Sequence, residues 1–252
     1  MIVTAALVSV VLVVDDATTA RSGDIEQPAN PGTTAPPAAP PTATPTGDAV
    51  PHRDGIGVIQ TTAVPGATVA LTFDDGPSRY TSQVLEVLDE HNIKATFCVV
   101  GESAKAYPAL VQEIVDRGHT LCDHTVTHDL HLTDRSADQM RSEIGDTLAA
   151  VQAAVPDAEV PFYRAPGGNF STEVIAVAAA FDQQPLGWSV DPRDWSEPGT
   201  NAIRTTVLDQ VIPGSVVLLH DGGGDQSQTV AALDEIITGL RAAGFEFVIP
   251  AI

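Results

Sequence analysis

Residues 68–77 read TVALTFDDGP, and residues 215–221 read SVVLLHD. Each is a β-branched or apolar run that stops at charged, turn-forming residues. The first predicts a strand over Thr68–Phe73 carrying Asp74 and Asp75 at its C-terminal end, with a Gly–Pro turn beyond. The second predicts a buried strand over Ser215–Leu219 that delivers His220 and Asp221. Between and around them the pattern repeats. Val84, Leu85, Val87 and Leu88 have helical spacing, which predicts a helix over Tyr80–His91. A strand over Lys94–Val100 follows, then a helix over Ala104–Arg117 and a short strand over His119–Cys122. Ser136 opens a long helix that runs to Ala154, ahead of Pro156. Phe162–Tyr163 is a strand, Thr172–Phe181 a helix, Leu186–Val190 a strand and Asn201–Val211 a helix. Ser227–Ala242 is the last helix and Phe245–Ile249 the last strand.

This regular alternation predicts an α/β fold of roughly seven parallel strands with crossover helices. A distorted (β/α) barrel is expected; an open doubly wound sheet is the alternative. The turn-rich motifs DDGP, HTVTH, RAPGG, DPRDW and LLHD all fall just after strands. In a barrel the C-terminal strand ends share one rim, where active sites are built, so these distant motifs should converge.

The rest of the chain bounds what such a site could serve. It has 252 residues, 43% of them hydrophobic, with 33 Asp plus Glu against 12 Lys plus Arg and a net charge of −21. Binding a phosphate backbone requires clustered cations, and none are present, so nucleic acid is excluded as a main partner. Six acids and two bases lie in residues 1–54, so most of the negative charge belongs to the remainder. That acidity disfavours strongly anionic partners. Residues 2–14 are almost wholly apolar and would span about 20 Å as a helix, short of a bilayer core, which suits a signal-peptide segment. The Pro-, Thr- and Ala-rich stretch after it cannot bury enough apolar surface to fold. The expected organisation is a hydrophobic leader over 1–20, a linker over 21–54 and a catalytic domain over 55–252, in a secreted or surface-associated protein.

The motif residues have chemistry in common. Adjacent carboxylates at a strand end point in different directions, so Asp74 and Asp75 can serve two tasks, one on a metal and one on a water. His124 and His128 stand four apart, a spacing that lets two imidazoles meet one ion, in a loop turn because Thr125, Val126 and Thr127 are poor helix formers. Two His and one carboxylate form an open zinc set. His119 and His131 lie off that spacing and read as structural. Arg164 needs an anion, either Asp74 or a substrate. His220 could be held as a general acid by Asp194 or by Asp221. Trp195 offers an apolar wall. Cys98 and Cys122 are either a disulfide between neighbouring strands or two buried thiols, and an exported chain favours the former.

TFDDGP (72–77), HTVTH (124–128), RAPGG (164–168), DPRDW (191–195) and LLHD (218–221) occur in the order and spacing of the polysaccharide deacetylase family, the NodB-homology domain or carbohydrate esterase family 4. The chain resembles that family over residues 65–250. The resemblance implies metal-dependent removal of acetyl groups from a carbohydrate, with Zn2+ as the expected ion and Co2+ or another divalent ion as alternatives. It implies Asp75, His124 and His128 as ligands, Asp74 as base, Arg164 as the residue orienting that base, and His220 as acid tuned by Asp194. Trp195 and Leu218 would line the acetyl-methyl pocket, and the Gly167 N–H would face the oxyanion. Family members commonly carry Tyr where this chain has Gly167, which keeps the N–H and opens the cleft floor. The expected substrate is a GlcNAc-containing polymer such as peptidoglycan or a chitin-like chain, acted on by a monomer with no dedicated protein partner. An O-deacetylase such as an acetylxylan esterase is the nearest rival, and a non-catalytic carbohydrate-binding barrel the next. Nothing matches HExxH or a Gly-rich, Lys-bearing phosphate loop, which argues against a peptidase or phosphatase.

Overall fold

The computed structural model describes residues 57–252. The expected leader and linker lie outside the described residues. Strand β1 (Thr68–Asp74) leads into α1 (Thr81–Glu90), β2 (Thr96–Val99), α2 (Gly101–Ala106), α3 (Pro108–Asp116) and β3 (Thr120–Asp123). Then come α4 (Ala137–Ala154), β4 (Phe162–Tyr163), α5 (Thr172–Ala179), β5 (Gln184–Pro185), α6 (Thr200–Gln210), β6 (Ser215–His220), α7 (Ser227–Ala242) and β7 (Glu246–Phe247). All strand pairs are parallel, in the order β5-β4-β3-β2-β1-β6, with β7 against the start of β1. Beyond β5 the sheet reaches β6 only through single bridges, Ile59 to Leu186, Thr61 to Ser215 and Val190 to Val217. The result is a curled half-barrel wrapped in helices, the distorted barrel that the alternation predicts.

Strand periodicity sorts the side chains between two cores. Val69, Leu71 and Phe73 of β1, Phe97 and Val99 of β2, and Val217 and Leu219 of β6 pack outward against Leu85, Leu88, Ile114 and Ile236 of the helices. Burying each of these large side chains is worth about 1.5–3 kcal/mol. The alternate positions, Ala70, Cys98, Cys122, Val216 and Leu218, join Phe162, Leu186 and Trp188 in a separate inner cluster. Continuing that parity along β1 and β6 puts Asp74 and His220 on the inner face, where they are register partners. Cys98 and Cys122, partners across β2 and β3, are joined in a disulfide.

Two expected elements differ. The single helix over Ala104–Arg117 is two, because Pro108 has no N–H to continue the first and pushes Tyr107 out of helical conformation (φ −129°, ψ 57°). The strand over Leu186–Val190 is instead the two-residue β5 followed by isolated bridges. There the N-terminal segment takes the backbone bonds: Ile59 N–H donates to Pro185 O and Gly187 N–H to Ile59 O.

Candidate active site

β1 carries Asp74 to the rim almost fully buried, and its Oδ1 accepts a 2.6 Å bond from Arg164 Nη1. Arg164 follows β4 and has no exposed surface. Each of its nitrogens is engaged: Nη1 also donates to Thr72 Oγ1, Nε to Leu186 O and Nη2 to Gly187 O. The pair is thus built inside the barrel with four of the five guanidinium N–H groups hydrogen-bonded, the kind of support that lets a buried ion pair be tolerated. Of the two anions open to Arg164 in the sequence, the protein supplies Asp74.

Asp75 turns away in a left-handed conformation (φ 69°), which a short polar side chain tolerates. Its Oδ1 lies 3.4 Å from His124 Nε2 and 3.3 Å from His128 Nε2, is buried, and has no hydrogen-bond partner. Burial opposes its charge, but the close approach of His124 and the charges of His220 and His128 outweigh burial and hold the carboxyl well below its ordinary range. His124 Nδ1 sits 2.8 Å from the Arg164 carbonyl, which can only accept, so Nδ1 carries a proton and Nε2 is the nitrogen that offers a lone pair when the ring is neutral. Burial disfavours the His124 imidazolium, and the Asp74 and Asp75 carboxylates raise it regardless; His128 moves down through burial and its charged neighbour His124. The rings stand 4.9 Å apart. They meet without a helix, since Thr125 and His128 both have positive φ (64° and 57°). The ligand atoms of Asp75, His124 and His128 all lie within 4.8 Å of one another. An unpaired buried carboxylate oxygen facing two imidazole nitrogens, one with a fixed tautomer, fits a divalent ion and leaves coordination positions open.

At the end of the neighbouring strand β6, His220 belongs to a separate pair. His220 Nδ1 is 2.7 Å from Asp194 Oδ1, and Asp194 also accepts from the His220 N–H, the Thr229 hydroxyl and the Trp195 N–H. Burial disfavours the His220 imidazolium, but Asp194, with help from Asp75 and Asp74, pushes its pKa up to about 10. Nδ1 is engaged, so Nε2 is the nitrogen able to exchange a proton with a ligand. Asp221, the other carboxylate considered for His220, points elsewhere: it accepts from the Thr81 hydroxyl at 2.6 Å, and burial pushes it up to about 7. His119 accepts the Ala95 N–H, and His131 is exposed beside Asp134, so both are structural.

Gly167 and Trp195 sit on the connections after β4 and after β5, and Leu218 on β6 itself; among the described residues no hydrogen bond joins them to Asp75, His124 or His128. Gly167 is exposed in a left-handed turn (φ 62°). Leu218 is buried on the inner face of β6, two residues before His220, and Trp195 is half-buried with Arg193 5.1 Å above its ring. Sequence reading missed Gly222 and Gly223: a Cβ at either would overlap Asp75, at its backbone or its carboxylate. The signal was the glycine run of DGGGD, which reads as an ordinary loop.

A parallel half-barrel with a candidate Asp–His–His metal centre and a separately tuned histidine on one rim defines a hydrolase of the sugar-deacetylase class. The chain belongs to the polysaccharide deacetylase family, whose model matches residues 61–186. A chitooligosaccharide deacetylase of Sinorhizobium fredii is 42% identical over 190 residues, 71% of this chain and 87% of that one. A peptidoglycan-N-acetylglucosamine deacetylase of Bacillus cereus is 38% identical over 183 residues, 71% of this chain and 84% of that one. Among solved structures, a family 4 carbohydrate esterase from Streptomyces lividans in complex with acetate superposes with a TM-score of 0.69 at 32% identity, covering 75% of this chain and 95% of that one.

Proposed function

We propose that this protein removes acetyl groups from N-acetylglucosamine-containing polysaccharide and releases acetate. The observation that carries the reading is the side-by-side placement of a base candidate, Asp74, and an acid candidate, His220, register partners on neighbouring strands, together with the Asp75–His124–His128 cluster. A divalent ion held by those three residues, with zinc favoured by the two-imidazole, one-carboxylate donor set, would polarise the acetyl carbonyl and acidify water. Asp74 then accepts the proton of the attacking water. Its Oδ1 is spent on Arg164, so Oδ2, on the His124 side, is the basic atom. His220, protonated through the middle of the pH range, gives its Nε2 proton to the leaving amine, and Asp194 holds the ring in place. The Gly167 N–H is assigned to the developing oxyanion, and Trp195 and Leu218 to the acetyl methyl.

Export is part of the proposal. The apolar N-terminal run and the Pro/Thr/Ala-rich stretch give it a layout, and the Cys98–Cys122 disulfide belongs in an oxidising compartment. The substrate assignment is tested by acetate release from N-acetylglucosamine oligomers and from acetylated xylan. Faster release from the amide substrate supports it. Release from xylan alone would make the protein an O-deacetylase, whose better leaving group depends less on His220.

A further inference from the structure

The segment between the two imidazoles belongs to no helix or strand, so its backbone groups need partners from elsewhere. Every N–H finds one on a side chain. Thr125 N–H donates to Asp123 Oδ1 at 2.8 Å, and His128 N–H to Thr125 Oγ1 at 3.1 Å. The two between them, on Val126 and Thr127, both donate to Glu143 Oε2 at 3.0 Å, and the Thr127 hydroxyl donates to Glu143 Oε1 at 2.9 Å. The carbonyls of Thr125 and Val126 accept from Gly101 N–H and Glu102 N–H at the start of α2. Glu143 lies in the second turn of α4, whose start is set by a Ser136–Gln139 capping box. Its bonds go to the chain between the histidines, not to their rings. The left-handed conformations of Thr125 and His128 are of a kind that non-glycine residues hold only where the surroundings over-determine them.

We propose that Glu143 is a positioning residue for the metal centre: its carboxylate fixes the 125–127 turn, sets the separation of the His124 and His128 Nε2 atoms, and so raises affinity for the divalent ion. The proposal rests on the reading of Asp75, His124 and His128 as ligands. Outer groups that orient ligands are worth about 10–100-fold in metal affinity. A carboxylate that merely tied α4 to a loop would change the stability of the metal-free protein and leave affinity unmoved.

The test uses the full chain, stripped of metal, with Zn2+ affinity measured by chelator competition and the Co2+ absorption spectrum recorded. His128→Ala, Glu143→Ala and Glu143→Gln are compared with wild type. Gln keeps one oxygen for both N–H groups, and its amide can face the Thr127 hydroxyl, which accepts as well as donates. The expected order is near wild-type affinity for Glu143→Gln, a loss of about 10–100-fold with an altered Co2+ spectrum for Glu143→Ala, and the largest loss for His128→Ala. Wild-type affinity in Glu143→Ala while His128→Ala loses the ion would overturn the proposal and leave the ligand reading intact. Undiminished binding in His128→Ala would remove the ligand reading itself. Equal losses in the Gln and Ala variants would also overturn it, since charge rather than position would then be acting. If Glu143→Ala does not fold, Glu143→Asp, one methylene shorter, must bind more weakly than Glu143→Gln.

Discussion

On one side of the site Asp194 accepts four hydrogen bonds and holds His220 by its Nδ1; on the other, Asp75 Oδ1 is buried between two imidazoles and accepts none. The His220 side, the proposed acid, is complete in protein groups alone. The ligand side is fixed from behind, through the Arg164 carbonyl on His124 and the side chains that clamp the 125–127 turn, while its inward atoms converge on a common point. A proton donor must be ready in one protonation state, so it is built rigid and satisfied. A ligand set must keep its lone pairs unspent, so its order has to come from the backbone and the outer groups.

The largest effect expected on this contrast is from Arg164→Met. It leaves Asp74 buried without its cation and removes the side chain that braces β4 against β1 and the segment after β5. A loss of about 3–5 kcal/mol is expected in urea unfolding, together with most of the turnover. A variant of full stability would show that the barrel does not depend on the pair. Next is the disulfide. Replacing Cys98 and Cys122 with Ala removes a cross-link between residues 24 apart in sequence and should cost about 3 kcal/mol in the loop-entropy account. Because Cys122 lies two residues before His124, metal affinity should fall while the His220-dependent alkaline limb stays put. Movement of that limb instead would mean that the two sides are coupled.

The smallest change sharpens the acid side. His220 has a folded pKa near 10, above the unfolded 6.5, so the stability carried by its charged form is complete below 6.5 and is lost as pH rises through about 10. Asp194→Asn should weaken that dependence and move the alkaline limb of the pH–rate profile down toward the ordinary imidazole range, since Asp75 and Asp74 supply the smaller part of the shift. An unmoved limb would assign it to another group.

The fold was legible where one strand could be read alone. TVALTFD and SVVLLH are strands in any context, and they fix which residues reach the rim. β5 was not legible, because Gln184 and Pro185 carry no strand pattern of their own and are strand only through their pairing with Phe162 and Tyr163 of β4. The site followed the same division. Asp74 and His220 end β1 and β6 as expected, Asp194 follows no strand, and His124 and His128 meet across the expected loop turn, which is built on two left-handed residues. The residues alone left Asp194 and Asp221 both open to His220, and only the family resemblance chose Asp194; in the fold it is Asp194 that bonds the ring while Asp221 bonds Thr81. Glu143 had no local signal at all, because its partners are backbone N–H groups 16 and 17 residues away.

The central claim is that Asp75, His124 and His128 hold the ion while Asp74 works on the water. Measuring bound metal and acetate release together, in wild type, Asp74→Asn and His124→Ala, tests it most directly. The account predicts metal in wild type and Asp74→Asn, little in His124→Ala, and a loss of turnover of about 10²–10⁴-fold in Asp74→Asn. Near-wild-type acetate release from Asp74→Asn, or unchanged metal content in His124→Ala, would contradict it.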